Sequence, residues 1–107
     1  MKVEKNLWKT TPDGKDIFLY RITNESGAYV ELGSGGAGIV SIVVPDKEGK
    51  LADVVIGYDD PMSYFGDGPC AGKCPGRYAN RIAKGHFNLD GKEYTLPVNN
   101  ACNHLHG

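Results

Sequence analysis

No stretch of this sequence approaches the about 18 consecutive apolar residues of a membrane-spanning helix. Its first residues, MKVEKNLWKT, also lack the apolar core of a secretory signal. Charge of one sign is missing too: the formal net charge is −1, so the overall balance draws the chain neither to nucleic acid nor to an anionic membrane surface. There are three cysteines, Cys70, Cys74 and Cys102, an odd number without a disulfide-framework spacing. Reduced thiols and a cytoplasmic location are the expectation. Internal repeats, low-complexity tracts and amphipathic helical periodicity are absent as well. Strongly apolar residues are few: Leu, Ile, Val and Phe together number 24 of 107. A chain this short buries only about two-thirds of its unfolded surface, so the expectation is one domain at most, with a thin core.

What the sequence has in excess is glycine, 15 residues, which favours a turn-rich β protein over helices. Alternation in DIFLYRIT places Phe18, Tyr20 and Ile22 on one face of a predicted strand and Ile17, Leu19, Arg21 and Thr23 on the other. The turn residues NESG lead into AYVEL, which predicts an antiparallel hairpin. A third strand is predicted over Ile39 to Val44, ending at Pro45, and PDKEGK reads as a charged turn. A fourth, Leu51 to Ile56, breaks alternation at Val54 and Val55, as a strand covered on both faces would. Residues 59–75 are punctuated by Gly and Pro and are expected to form a long surface excursion. Next, HFNL, Asp90-Gly91 and KEYTL spell a type I′ hairpin in which Phe87 faces Tyr94 and Gly85 lies opposite Leu96. The expected class is all-β, built from antiparallel strands.

Several residue sets carry chemical possibilities. Gly33, Gly35 and Gly38 match the letters of a dinucleotide fingerprint, but β-branched residues and a proline follow where a helix should begin, so a plain turn is expected. Cys70, Cys74, Cys102, His104 and His106 are zinc-type donors, yet their spacing is not that of a standard finger; a structural zinc and unrelated thiols with loop imidazoles are the two readings. Lys73, Arg77, Arg81 and Lys84 could form a basic stripe, but the series of aromatic partners expected of a single-strand platform is missing, and a solvated or ion-paired surface is expected. Asn80, Arg81 and the final histidine, with the Asn-rich turn of Asn99, Asn100 and Asn103, offer directional donors and acceptors suited to sugar hydroxyls.

Taken in order, GAGIVSIVVPDKEGKLADVVIGYDD, YFG, GRYANRIAKGHFNLDGKEYTLPVNN and NHLHG, from about Gly36 to Gly107, resemble the aldose 1-epimerase family, also called galactose mutarotases. The resemblance implies a large antiparallel β-sandwich, the galactose mutarotase-like supersandwich, with residues 1–107 as the N-terminal part of a single sandwich domain. It also implies an enzyme that interconverts α and β anomers of free hexoses without a metal or organic cofactor. A carboxylate base removes the anomeric hydroxyl proton while a histidine acid protonates the ring oxygen; rotation and reclosure give the other anomer. Matched residue by residue, Asn80 and Arg81 correspond to the sugar-contacting pair of the NRI motif, and His106 to the substrate-contacting histidine of the LHG motif. His104 and His86 match no functional position.

The segment GDGPCAGKCP departs from the family's usual approach to Gly76 by carrying two cysteines and a proline. The family's acid His and base Glu fall beyond residue 107, so no catalytic residue is assigned within it. The expectation is a chain that supplies substrate-binding residues for a small hexose, needs the remainder of the sandwich in the same or another chain, is inactive alone, and engages neither nucleic acid nor membrane. A non-catalytic carbohydrate-binding module and an inactive fragment are the competing readings.

Overall fold

A computed structural model describes residues 1–66 and 68–107. They form two compact units, Met1–Cys74 and Pro75–Gly107. Among the described residues there are nine β-strands, all paired antiparallel, and two short 3₁₀ turns. Among these residues no helix is long and apolar enough to cross a membrane.

The first unit is a meander of five strands in sequential order, β1 (Lys2–Thr10), β2 (Asp16–Thr23), β3 (Tyr29–Gly33), β4 (Gly38–Pro45) and β5 (Leu51–Asp53). Asn24 closes the β2–β3 turn because its side-chain oxygen accepts from the amides of Ser26 and Ala28, both at 3.0 Å. Asp46 does the same after β4, accepting from Glu48 and Lys50 at 2.9 Å, so PDKEGK is the charged turn its residues suggested. Tyr20 lies opposite Leu32, Ile22 opposite Val30, and Val30 opposite Ile42, which gathers the predicted Phe18–Tyr20–Ile22 row into one apolar face. On the other face Arg21 donates to Glu31 from Nε at 2.9 Å and from Nη2 at 2.6 Å. That face is an open groove of about 650 Å³, bordered by Trp8, Leu19, Val43 and Val55. The core is thin, as composition implied: Ile17, Val43 and Tyr64 are the buried hydrophobic residues among those described.

Three features depart from the sequence expectations. β1 was not anticipated, because KVEKNLWKT is mostly polar and shows no period-two apolar alternation. It is nonetheless paired along its length to β2, with a bulge between Leu7 and Lys9 that leaves Trp8 as the extra residue. The fourth predicted strand stops at Asp53 instead of Ile56. The Asp53 carboxylate accepts from the amides of Ile42 and Val55, both at 3.0 Å, and so replaces the next rung of the ladder. The double-sided cover read from Val54 and Val55 is not provided here: Val54 is 65% and Ile56 93% exposed.

The third departure is the segment after Asp59, which is not wholly a surface excursion. Asp60 caps a 3₁₀ turn over Pro61–Tyr64, accepting from the Met62 amide at 3.0 Å while Lys9 Nζ reaches its carboxylate at 2.8 Å. The turn drives Tyr64 into the core, where its ring meets Trp8 at 5.9 Å and Tyr58 edge-on at 5.1 Å. Such aromatic pairs add about 0.5–1.5 kcal/mol beyond their buried area. The Tyr58 amide donates to the Tyr64 hydroxyl at 2.9 Å, so its polar end is also satisfied. Further on, the Gly72 carbonyl accepts from the Ile39 amide at 2.8 Å. Glycine is required there: φ is +62° and a Cβ would run into the Ile39 carbonyl.

The second unit holds β6 (Arg81–Ile82), a 3₁₀ turn at Ala83–Gly85, β7 (His86–Leu89), β8 (Lys92–Thr95) and β9 (His104–Leu105). β7 and β8 form the expected hairpin. Asp90 and Gly91 both have positive φ, Phe87 pairs with Tyr94 and their rings stack at 5.1 Å, and the Leu96 amide donates to the Gly85 carbonyl. β6 and β9 pair with Arg81 opposite Leu105 and Ile82 opposite His104. This two-residue ladder joins the NRI stretch to the end of the sequence.

Candidate sugar-contacting site

The β6–β9 ladder brings Asn80, Arg81 and His106 together, although 25 positions separate Arg81 from His106 in sequence. At its end the chain is held by a reciprocal pair of hydrogen bonds. The Asn80 amide donates to Nδ1 of His106 at 3.0 Å, and the His106 amide donates to the Asn80 carbonyl at 3.0 Å. Both residues occupy the left-handed region, with φ of +75° for Asn80 and +62° for His106. Asn and His enter that region more readily than most residues, and local strain of this kind concentrates where a side chain must be aimed.

The hydrogen bond fixes the chemistry of the imidazole. Nδ1 accepts from a backbone N–H, which can only donate, so the neutral ring carries its proton on Nε2. Nε2–H is therefore a donor, and among the described residues it has no protein partner. His104 has the opposite arrangement: its Nδ1 donates to the Pro97 carbonyl at 2.6 Å, which ties the loop before β9 and leaves this ring a structural role. His86 lies on the β7–β8 hairpin, 2.6 Å from Glu93.

Arg81 is oriented from two sides. Nε donates to Oδ1 of Asn100 at 3.1 Å, and Nη1 donates to Oδ1 of Asn80 at 3.4 Å. Nη2 is left without a protein partner among the described residues. The side chains of Asn80, Arg81 and His106 are all exposed, so their remaining donors face outward. Guanidinium N–H groups in a rigid fork, an imidazole N–H and a carboxamide suit a ligand rich in hydroxyl oxygens. No carboxylate among the described residues hydrogen-bonds to this cluster.

The Asn-rich turn is the part whose role the sequence did not disclose. Asn99 works as an artificial strand: its Oδ1 accepts from the Leu105 amide at 2.6 Å and its Nδ2 donates to the Leu105 carbonyl at 3.1 Å. Asn103 Oδ1 accepts from the Lys84 amide at 3.1 Å. Composition signalled a polar turn; only the fold assigns each amide a partner.

The other candidate sets resolve differently. Gly33, Gly35 and Gly38 lie at the β3–β4 turn and lead into a strand, so the helix a dinucleotide fingerprint needs does not follow. Of the zinc-type donors, Cys70 and Cys74 belong to the first unit and Cys102, His104 and His106 to the second. Among the described residues no three His, Cys, Asp or Glu side chains gather as a metal site. In the proposed basic stripe, Arg81 is taken up by the two asparagines.

A family model described as aldose 1-epimerase matches residues 19–107. The galactose mutarotase of Bos taurus is 49% identical over 78 residues, covering 73% of this chain and 23% of its own length. The aldose 1-epimerase of Escherichia coli (strain K12) is 34% identical over 96 residues, covering 90% of this chain and 28% of that protein. The chain thus spans about a quarter of the length of these curated relatives. Among solved structures, the galactose 1-epimerase of Lactobacillus acidophilus NCFM superposes with a TM-score of 0.69 at 22% identity, over 98% of this chain and 30% of that one. An aldose epimerase homologue from C. elegans gives 0.64 at 38% identity, over 82% and 27%. The antiparallel all-β architecture is that of the galactose epimerase sandwich.

Proposed function

Since the chain belongs to the aldose 1-epimerase family, we propose that the natural protein carrying it interconverts the α and β anomers of free hexoses such as galactose and glucose, and that Asn80, Arg81 and His106 hold the sugar. The observation that carries this reading is the convergence of those three residues at one end of a two-residue ladder, with the His106 tautomer fixed by the Asn80 amide. Residues 1–107 then form the N-terminal portion of one sandwich domain and contribute the binding side of the pocket.

In this reading, the outward N–H groups of Arg81 take hydroxyl oxygens and Nε2–H of His106 donates to a further oxygen of the same ring. Holding the sugar in one orientation converts proton transfer at C1 and at the ring oxygen into an intramolecular event, which is worth several kcal/mol of barrier. His106 is not the group that moves protons, because its Nδ1 is committed to the Asn80 amide. A carboxylate base at the anomeric hydroxyl and a histidine acid at the ring oxygen complete the reaction from outside residues 1–107. The reaction needs no redox or group-transfer partner, since bonds are broken and remade within one molecule.

Polarimetry of freshly dissolved α-galactose tests the proposal. The natural protein should accelerate the approach to the equilibrium rotation, and residues 1–107 alone should leave the spontaneous rate unchanged. Hexose binding without acceleration by the natural protein would instead favour a non-catalytic sugar-binding module.

A further inference from the structure

The long, flexible side chain of Arg81 is held in this fold by a hydrogen bond from its Nε to Asn100. We propose that Asn100 is a positioning residue for Arg81, a role that rests on the sugar-holding reading above for its functional meaning. Its Oδ1 accepts from Arg81 Nε at 3.1 Å, which fixes the inner edge of the guanidinium and turns the Nη1/Nη2 edge outward. Asn80 Oδ1, at 3.4 Å from Nη1, is the weaker constraint and leaves Nη2 open. The outer edge presents parallel N–H groups, the geometry that spans two neighbouring oxygens, such as vicinal hydroxyls of a pyranose.

Asn100 is itself held rigidly. Its amide donates to the Asn103 carbonyl at 3.0 Å and its carbonyl accepts from the Asn103 amide at 2.9 Å, closing a two-residue loop in which Ala101 has φ of +50°. The side chain is half-buried, whereas Arg81 is exposed, so the fixed partner is the amide and the guided partner is the guanidinium. The adjacent Asn99 is occupied with the backbone of Leu105 and so divides the labour: one asparagine ties the strand, the next aims the cation.

The test uses the natural protein carrying this sequence and three variants. In Asn100→Ala, the Arg81 Nε–H proton should lose its slow exchange in ¹H–¹⁵N spectra, and KM for galactose should rise about tenfold with kcat changed less than about twofold. Asn100→Asp keeps an acceptor and should retain both the slow exchange and a near-native KM. Asn99→Ala should loosen β9, seen as faster exchange of the Leu105 amide, with Arg81 Nε–H still protected. Unchanged Arg81 Nε–H exchange in Asn100→Ala would overturn the proposal, as would Asn100→Asp behaving like the alanine variant. If Asn100→Ala frees Nε–H while the unaltered protein neither binds nor epimerises hexoses, the positioning contact stands and the sugar reading falls.

Discussion

The backbone amide of Asn80 donates to Nδ1 of His106 at 3.0 Å, while the amide of His106 donates back to the carbonyl of Asn80 at 3.0 Å. One residue of the NRI stretch and one of the LHG stretch are thereby locked to each other by both backbone and ring. The lock leaves Nε2–H as the outward donor of the neutral histidine. His106→Asn separates the two halves of this arrangement, because Oδ1 of asparagine can replace Nδ1 as acceptor and asparagine tolerates the positive φ. The variant should fold with an unchanged melting temperature and lose about tenfold or more in kcat/KM for galactose. His106→Gln, whose amide reaches the Nε2 position but not Nδ1, should lower the melting temperature. Thermal denaturation alongside mutarotation kinetics distinguishes the two.

Arg81→Lys retains the charge but cannot engage Asn100 and Asn80 at once, since an ammonium on a flexible stem lacks the planar fork. Hexose affinity should fall by at least about tenfold, the equivalent of one hydrogen bond to a charged group. Titration calorimetry of galactose onto the natural protein and the variant measures this directly. Equal affinity would mean that charge, and not geometry, is what the site uses.

The hairpin at Asp90-Gly91, the Phe18–Tyr20–Ile22 face and the turn at Asp46 were legible in the sequence because each rests on local chemistry: positive φ, period-two alternation, or a side chain folded onto its own backbone. β1 was not legible, since its partner β2 supplies the order that its own mostly polar sequence does not express. The burial of Tyr64 was hidden for a similar reason, being set by Trp8 and Tyr58 instead of by the Gly and Pro around it. Within the site, Asn80, Arg81 and His106 could be named from motif resemblance. The individual duties of Asn99 and Asn100 could not, because adjacent identical residues differ only in what the fold places opposite them.

Gly72 offers a test of how the segment after Tyr64 is anchored. Gly72→Ala combines an unfavourable positive φ, about 1–2 kcal/mol for a residue with a Cβ, with a collision against the Ile39 carbonyl. Gly14→Ala, at φ of +82° with open space around it, incurs the backbone cost alone. The melting temperature of the natural protein should therefore drop further with Gly72→Ala than with Gly14→Ala. Equal drops would show that the Gly72–Ile39 junction is not a tight contact.

Asp53 gives the β4–β5 edge a pH dependence. The Val55 amide above all, with that of Ile42 behind it, holds its carboxyl below the usual carboxylate range. A group with a lowered folded pKa contributes stability above its unfolded value, about 3.9, and loses it as pH falls through the folded one. Melting temperatures recorded from pH 6 down to about pH 3 should fall less steeply in Asp53→Asn, which keeps a carbonyl acceptor but does not titrate. The difference should be small because the carboxylate is solvent-exposed.

Exchange between the two anomeric protons of galactose, followed by two-dimensional NMR at equilibrium, tests the central assignment most directly. The natural protein should produce α/β exchange cross-peaks that buffer alone does not, and Arg81→Ala should weaken them strongly while the protein remains folded. Absence of protein-dependent exchange for galactose and glucose, or exchange unaffected by Arg81→Ala, would contradict the account.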